Sequence, residues 1–357
     1  MAEQKWLSRS RSYWHSWVKQ YTAAQQTGRP AWHWKNWLAT PSALRQAGVL
    51  GMNARNLDCI SAANPRRFFP LVDDKLKTKR LAEDYQLATP SLLAVIEHQG
   101  QVKGFEQLIP QQVGFAIKPA KGSGGKGILV ILQSDGQRYQ KASGEWITHL
   151  DIERHLSNLL SGLYSLGGHP DIALVESLIR CAPDVADFSF EGVPDIRVIL
   201  YYGYPIMAMM RLSTHASDGK ANLHQGALGV GIDLNTGRAL QAVQHDRPVT
   251  HHPDTGRPLN ELVIDNWTYL LELASRCYDM THLGYLGADL VLDKEQGPLL
   301  LELNARPGLA IQMANGLGLA PRVQAIQAHR QQLRGPEETF TQRVGVAQKL
   351  FAVRQTR

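Results

Sequence analysis

Gly287-Ala288-Asp289-Leu290-Val291 and Leu301-Glu302-Leu303-Asn304-Ala305-Arg306-Pro307-Gly308 both show the alternation of β-strands. Between them lies Lys294-Glu295-Gln296-Gly297-Pro298, a turn by composition. Side chains two residues apart on a strand point the same way, so Asp289, Glu302 and Asn304 fall on one face of this hairpin. A hairpin symmetric about the turn sets Asp289 directly across from Glu302, where two carboxylates repel. A cation between them removes the repulsion. Oxygen donors from Asp, Glu and Asn suit magnesium, which takes one or two carboxylates and completes its shell with nucleotide phosphates and water. The plainer alternative is a solvated polar face. The apolar run Leu299, Leu300, Leu301 and Leu303 argues that Asn304 and Arg306 are placed at the strand end rather than tolerated there.

Upstream, Phe115-Ala116-Ile117-Lys118-Pro119 reads as a strand, and Ile128 to Leu132 as another. Ala120-Lys121-Gly122-Ser123-Gly124-Gly125-Lys126-Gly127 joins them. Gly122, Gly124 and Gly127 match G-x-G-x-x-G, but a dinucleotide fingerprint requires a helix next, and a strand follows instead. No Ser or Thr follows Lys126, so the segment is not a P-loop. A glycine-rich loop between two strands is a flap whose N–H groups and lysines can close over phosphates, an arrangement protein kinases share. The kinase motif H-R-D-x-x-x-x-N is absent, and Asp187-Phe188-Ser189 lacks the glycine of D-F-G. Lys118 stands among apolar strand neighbours and needs an anionic partner, for which a phosphate is the natural expectation. Val175-Glu176-Ser177-Leu178-Ile179 ends a buried strand that offers backbone groups to a planar base. Asp195-Ile196-Arg197 and Met210-Arg211-Leu212 put two arginines on neighbouring antiparallel strands, where planar forks suit carboxylate or phosphate. Each arginine alone reads equally well as a rim salt bridge.

The chain has 357 residues, 43% hydrophobic and 20% charged, the profile of a globular protein with two or three domains. No apolar run approaches the roughly 20 residues needed to cross a bilayer, and the first residues lack a signal-peptide core. Cys59, Cys181 and Cys277 are odd in number and widely spaced, which points to a reducing cytoplasm rather than a disulfide or zinc framework. The net charge of +6 suits an acidic partner without choosing among them. Trp6, Trp14, Trp17, Trp32, Trp34 and Trp37 crowd the start, and Trp6, Tyr13, Trp14, Trp17, Val18 and Tyr21 recur at helical spacing up to about Gly28-Arg29-Pro30. That amphipathic helix packs on its own protein, or else serves a protein partner or a membrane surface. Asn64-Pro65-Arg66-Arg67 reads as a linker. Helices are expected over Asp73 to Gln86, carrying Lys75 and Lys79 on one face, over Asn266 to Met280, and from Met313 onward. Ile196 to Tyr202 and Pro205 to Leu212 form a hairpin around Gly203.

In order, the chain presents Asp73-Lys75-Thr78-Lys79, Lys118-Pro119 with its glycine flap, Glu176-x-x-Ile179, Asp195-x-Arg197, Arg211, Asn222-x-x-x-Gly226, Asp289 and Glu302-x-Asn304. This series resembles the ATP-grasp superfamily over about residues 71 to 318, with the RimK-like α-L-glutamate ligases as the nearest branch. The resemblance implies an α+β fold of two subdomains sandwiching ATP. It divides the chain into a helical, Trp-rich region (1–70), an ATP-grasp domain (71–330, its first subdomain 71–180 and its metal and substrate subdomain 181–330), and a basic C-terminal tail (331–357). It implies that Lys79, Lys118 and the flap residues Gly122, Ser123, Gly124, Gly125, Lys126 and Gly127 contact ATP phosphates. Glu176, Ser177, Leu178 and Ile179 would frame the adenine, Asp195 would lie near the ribose, and Lys220 and Asn222 near the γ-phosphate. RimK-like enzymes tend to have Arg where Lys220 stands. Asp289, Glu302 and Asn304 would hold one or two Mg2+ ions, with Mn2+ as a compatible substitute. Arg197, Arg211 and Arg306 would hold the acyl phosphate or the acceptor.

The implied reaction is carboxylate–amine ligation through an acyl phosphate, adding glutamate or another amino acid to a peptide, protein or small acceptor. A cytoplasmic enzyme without a nucleic-acid partner is expected, and a homo-oligomer is compatible with it. ATP-grasp ligases usually begin with a Rossmann-like domain, and the Trp-rich start shows no βαβ pattern, so glutamate specificity does not carry over. Three alternatives stay open: an ATP-binding regulatory or scaffold module, phosphotransfer to a hydroxyl, and an enzyme of the related branch associated with sugar transfer and polysaccharide loci.

Overall fold

Strands rich in Ile, Val, Leu and Phe build two sheets of opposite emphasis, one framing lysines and the other arginines. The structure is a computed structural model, and it describes residues 48–109, 114–122, 124–165, 167–245 and 247–352. The Trp-rich amphipathic helix and Ser123 lie outside the described residues. The described chain divides into two units. The smaller holds Pro70–Ala182 and Leu292–Glu302. The larger holds the residues up to Phe69, Pro183–Val291 and those from Leu303 onward.

In the smaller unit, β1 (Leu92–Ile96), β2 (Phe115–Pro119), β3 (Leu129–Ser134), β4 (Arg138–Lys141), β5 (Trp146–Thr148) and β6 (Ala173–Ser177) form a six-stranded sheet, ordered β1-β6-β2-β3-β4-β5. Every neighbouring pair is antiparallel. Helix α1 spans Lys75–Asp84 and α2 spans His149–Leu160. Alternation sends Phe115, Ile117, Ala173 and Val175 to one face, against Ile152, Leu156 and Leu159 of α2. Thr148 starts α2 through a reciprocal cap with Asp151. The opposite face carries Leu174 and Ala120 against Leu76 of α1. Lys118 and Glu176 share the parity of that second face. The helix expected from Asp73 begins at Lys75, because the Asp74 carboxylate accepts from the Leu76 and Lys77 amides at 3.0 and 3.2 Å.

The larger unit is built on β7 (Asp195–Tyr201), β8 (Tyr204–Leu212), β9 (Leu228–Ile232), β10 (Ala239–Gln244) and β11 (Arg247–Val249). The strand order continues through β12 (Tyr285–Asp293) and β13 (Gly297–Asn304) as β11-β10-β9-β8-β7-β12-β13, with Leu292–Glu302 of these two strands counted in the smaller unit. Helices α3 (Trp267–Thr281), α4 (Ile311–Asn315), α5 (Ala320–Gln332) and α6 (Phe340–Phe351) accompany the sheet, along with shorter ones. The hairpin β7–β8 closes through Tyr202 and Gly203, both left-handed at φ 50° and 79°. Gly231 lets α4 lie close on β9, since a Cβ there would sit 2.3 Å from the Ala314 carbonyl oxygen. Within the stretch read as a basic tail, α6 buries Val344, Ala347 and Phe351. Composition hid that stripe, because three apolar residues suffice to anchor a helix whose other face is wet.

Asn64-Pro65-Arg66-Arg67, read as a linker, lies just before the division between the units at Phe69 and Pro70, and its first residue also has a structural part. Asn64 is buried, donating through Nδ2 to Tyr285 O at 2.7 Å and accepting at Oδ1 from the Tyr285 amide at 2.7 Å. It completes the strand-like pairing at the start of β12, so the residue is structural as well as connective. Among the described residues no helix is long and apolar enough to cross a membrane, and Cys59, Cys181 and Cys277 are all free thiols.

Candidate functional site

In the smaller unit, register pairs Ala116 with Glu176 and Lys118 with Leu174, so Lys118 and Glu176 are diagonal neighbours. Lys118 Nζ lies 2.6 Å from Glu176 Oε2, and Lys79 Nζ reaches Glu176 Oε1 at 2.8 Å from α1. Lys79 Nζ also donates to Pro90 O. Lys118, for which a phosphate partner is expected, is thus already paired within the chain. The chain supplies its own carboxylate, which the sequence could not show because the partner stands 58 residues away. Burial lowers the Lys79 pKa, and Glu176 only partly restores it. Burial alone would raise the Glu176 carboxyl, but Lys118 and Lys79 outweigh it and hold the group below its ordinary value. Two lysines against one carboxylate leave one net positive charge on this face, which suits an anion. Val130 pairs with Ala116, so Val130 and Leu132 flank the same face, and Leu132 stays exposed. An apolar surface beside a cationic one fits a planar base with a charged tail.

The glycine loop is tied at both ends. Lys75 Nζ donates to Gly122 O at 2.8 Å and pairs with Glu302 Oε1 at 3.0 Å. The Lys121 amide donates to the buried Asp171 carboxylate, which also accepts from Ser165 Oγ at 2.7 Å. At the far end, His155 Nε2 lies 3.0 Å from Gly127 O, and since a carbonyl only accepts, that nitrogen carries the proton. Burial lowers the His155 pKa, consistent with a neutral ring. Between these ties, Gly124 and Gly125 are left-handed (φ 65° and 75°) and Lys126 is exposed. The strand expected after the loop is β3. The amides of Ser177 and Leu178 donate to Ser91 O and Gly114 O, so those two donors serve the fold. Lys75, Asp171 and His155 escaped the sequence reading as site residues. Lys75 alone carried a signal, its position one helical turn before Lys79.

In the larger unit, Asp289 is buried between two guanidinium groups. Arg197 donates from Nε and Nη2 at 2.7 and 2.6 Å, and Arg211 Nη2 donates at 2.9 Å. Register places Asp289 opposite Arg197 and Asp195 opposite Arg211. Arg211 Nη2 also donates to Asp195 Oδ2 at 2.7 Å, and Nε pairs with Oδ1. Asn304 Nδ2 lies 3.4 Å from Asp289 Oδ2, leaving its carbonyl oxygen free of that contact. Two arginines and two aspartates cancel in charge, the condition under which buried ions persist. Burial would raise the Asp289 carboxyl, but Arg197 and Arg211 prevail and hold it well below the usual range. Burial dominates at Asp195 and raises it, with Arg211 opposing and Asp289 adding to the rise. The cation expected to relieve Asp289 is thus supplied first by arginine, and for Glu302 by Lys75.

The donor set still fits magnesium. A carboxylate offers about four lone-pair directions; Arg197 and Arg211 take three at Asp289 and Asn304 Nδ2 the fourth at 3.4 Å, so an Asn304 amide turned to present its oxygen would open that direction to the ion. Asp289, Glu302 and Asn304 offer hard oxygens. Among the described residues no three His, Cys, Asp or Glu side chains group as a ready cage, so phosphate oxygens and water would complete the shell. The remaining expected residues sit apart from this network. Lys220 is exposed and pairs with Asp218 at 2.9 Å. Asn222 Oδ1 accepts from the His224 amide at 3.0 Å and caps a short turn. Arg306 stacks 4.5 Å over the Phe69 ring. Arg55, missed from sequence, is buried and donates to Pro307 O at 2.6 Å, holding the turn that follows Asn304.

The sugar-transfer associated ATP-grasp family model matches residues 54–328. No curated protein matches the chain. Among solved structures, the ATP-grasp ligase PsnB with its minimal precursor aligns at 15% identity and TM-score 0.42, over 75% of this chain and 63% of that one. The D-cycloserine synthetase DcsG aligns at 15% identity and TM-score 0.40, over 73% of each chain. The D-alanine-D-alanine ligase of Helicobacter pylori aligns at 14% and 0.40, over 74% of this chain and 62% of its own. This chain therefore spans less than two thirds of the length of PsnB. The family match covers well over half of the 357 residues, and the chain belongs to the sugar-transfer associated ATP-grasp family.

Proposed function

We propose that the protein is an ATP- and Mg2+-dependent ligase that joins a carboxylate to an amine, releasing ADP and phosphate by way of an acyl phosphate. Family membership supports the use of ATP, and the paired clusters support the chemistry. On the smaller unit's face, Lys118 and Lys79 would take nucleotide phosphates. Glu176 pairs with both lysines and holds them in place. Val130 and Leu132 would border the base, near the segment from Glu176 to Ile179. The glycine loop, tied at Gly122 and Gly127, would bring backbone N–H groups over the phosphates while Gly124 and Gly125 bend. In the larger unit, Asp289 and Asn304 would hold Mg2+, with Glu302 two residues earlier on β13 as a further oxygen donor. When bound, that ion supplies charge neutralisation on the transferring phosphoryl group. Arg197 and Arg211 keep Asp289 ionised and aligned, and Arg306 would meet the acyl phosphate or acceptor. Asp195, Lys220 and Asn222 would serve the ribose and the γ-phosphate end.

The observation that carries this reading is the buried Asp289, held as a carboxylate by two arginines beside Asn304 in an ATP-grasp chain. No covalent nucleophile is required, so catalysis would rest on positioning and charge neutralisation. The family's description favours one refinement, an acceptor borne on a saccharide. The test is ADP and phosphate release across pools of carboxylates and amines, amino sugars included, with mass spectrometry of the product. Release that requires both substrates supports ligation. AMP and pyrophosphate as products would overturn the acyl-phosphate route, and a stable phosphorylated hydroxyl product would favour phosphotransfer.

A further inference from the structure

At the closed end of the β7–β8 hairpin lies a cavity of about 650 Å3, within the size range of small-molecule sites. Tyr201, Tyr202, Tyr204 and Tyr278 wall it, together with Arg330 and Glu338. It is separate from the Asp289 network. Tyr202 lies five residues along β7 from Arg197, about 16 Å at the rise of a strand.

The local conformation is costly. Tyr202 occupies the first position of a two-residue turn at φ 50°, where glycine or asparagine is normal. Its ring meets Tyr201 edge-on at 4.9 Å and Tyr278 at 6.1 Å. Arg330 stacks 3.5 Å over the Tyr202 ring, which fixes the plane of its guanidinium fork. Among the described residues its ion pair is Glu337 at 3.8 Å, too long for a hydrogen bond. Glu338 accepts from the Tyr204 hydroxyl at 2.5 Å and from His329 Nε2 at 3.1 Å. Both central positions of this turn take positive φ, and the turn sets Tyr202 where its ring lines the cavity.

The wall chemistry narrows the ligand. An apolar guest would leave the Arg330 guanidinium, whose ion pair with Glu337 is 3.8 Å long, without water. A bare anion would find Arg330 but also meet Glu337 and Glu338. A polyhydroxyl ring matches both, since its C–H faces lie on phenol rings while vicinal hydroxyls accept from a guanidinium fork and donate to a carboxylate. The geometry points to a saccharide-binding cleft, distinct from the nucleotide and metal groups. It stands whether or not the ligase reading holds, because binding is measured without ATP.

The experiment titrates full-length protein with methyl glycosides of glucose, galactose and N-acetylglucosamine, and separately with inorganic phosphate. Saturation-transfer NMR and calorimetry read binding. Tyr202→Gly removes the ring while easing the left-handed backbone, so the turn survives, and Arg330→Gln removes the fork. Fluorescent ADP binding reports the nucleotide site in every variant. Saturable binding of at least one glycoside, weakened about tenfold or more in both variants as for truncation of a buried anchor, with ADP binding unchanged, supports the cleft. No binding by any glycoside overturns it. Binding of phosphate alone overturns it in favour of an anion site, and glycoside binding that persists in both variants places the saccharide elsewhere.

Discussion

Glu176→Gln isolates the lysine cluster. Glu176 is the one carboxylate between Lys79 and Lys118, whose side chains are 6% and 12% exposed. Removing one partner of a buried ion pair costs about 3–5 kcal/mol. Lys79 keeps Pro90 O and Thr89 Oγ1 as acceptors, and Gln retains one oxygen, so the low end applies, about 3 kcal/mol. For a protein of this size that corresponds to a fall in Tm of roughly 4 °C. The pH dependence gives a second signature. Glu176 titrates below its ordinary 4.5 in the fold, so it contributes stability above that value and loses it as pH falls through the folded value. The gap between wild type and variant should therefore narrow in acid. Lys79 titrates below its ordinary 10.5, so the folded state binds fewer protons than the unfolded chain and stability rises with pH in that window. Without Glu176 this alkaline rise steepens. Urea unfolding across pH 4–10, with Glu176→Gln/Lys118→Met to measure coupling, checks each arm. A loss at neutral pH below about 1 kcal/mol, the value of an exposed pair, would refute the buried-cluster reasoning.

Three further substitutions test packing. Gly231→Ala puts a Cβ 2.3 Å from the Ala314 carbonyl oxygen, and overpacking of this kind costs about 1–3 kcal/mol by denaturant unfolding. Gly345→Ala should stabilise by about 0.5–1 kcal/mol, because it lies inside α6 with nothing within 4 Å of its added Cβ. Asn64→Ala leaves the Tyr285 amide and carbonyl without their side-chain partner, a loss of about 1–3 kcal/mol; an unchanged Tm would show that Asn64 is connective only.

Local pattern carried much of the fold. Phe115–Pro119 reads as β2 to the residue, because alternation and flanking glycines bound it on both sides. Tyr202-Gly203 announces the β7–β8 turn, and the long apolar period of Trp267–Thr281 announces α3. The ordered motifs carried the ATP-grasp superfamily, while the sugar-transfer associated branch that the family model matches stood only among the alternatives. What sequence could not show was long-range charge pairing. Lys118 visibly needed an anion, yet nothing local names Glu176. Asp289 visibly needed a cation, yet only the β7–β12 and β7–β8 registers bring Arg197 and Arg211 to it. Asp171, His155 and Arg55 act on loop carbonyls or amides through side-chain bonds that leave no periodic or motif signal. The buried bonds of Asn64 were hidden for the same reason, since Asn-Pro-Arg-Arg is linker composition whatever its side chain holds.

The most direct test of the central claim is nucleotide product analysis in the presence of paired carboxylate and amine substrates, with Asp289→Asn as the comparison. The account predicts ADP and phosphate in equal amounts with amide product in wild type. In the variant, turnover should fall a hundredfold or more, about 3 kcal/mol of lost electrostatic stabilisation, while the protein remains folded. AMP formation in wild type, or undiminished turnover in Asp289→Asn, would contradict it.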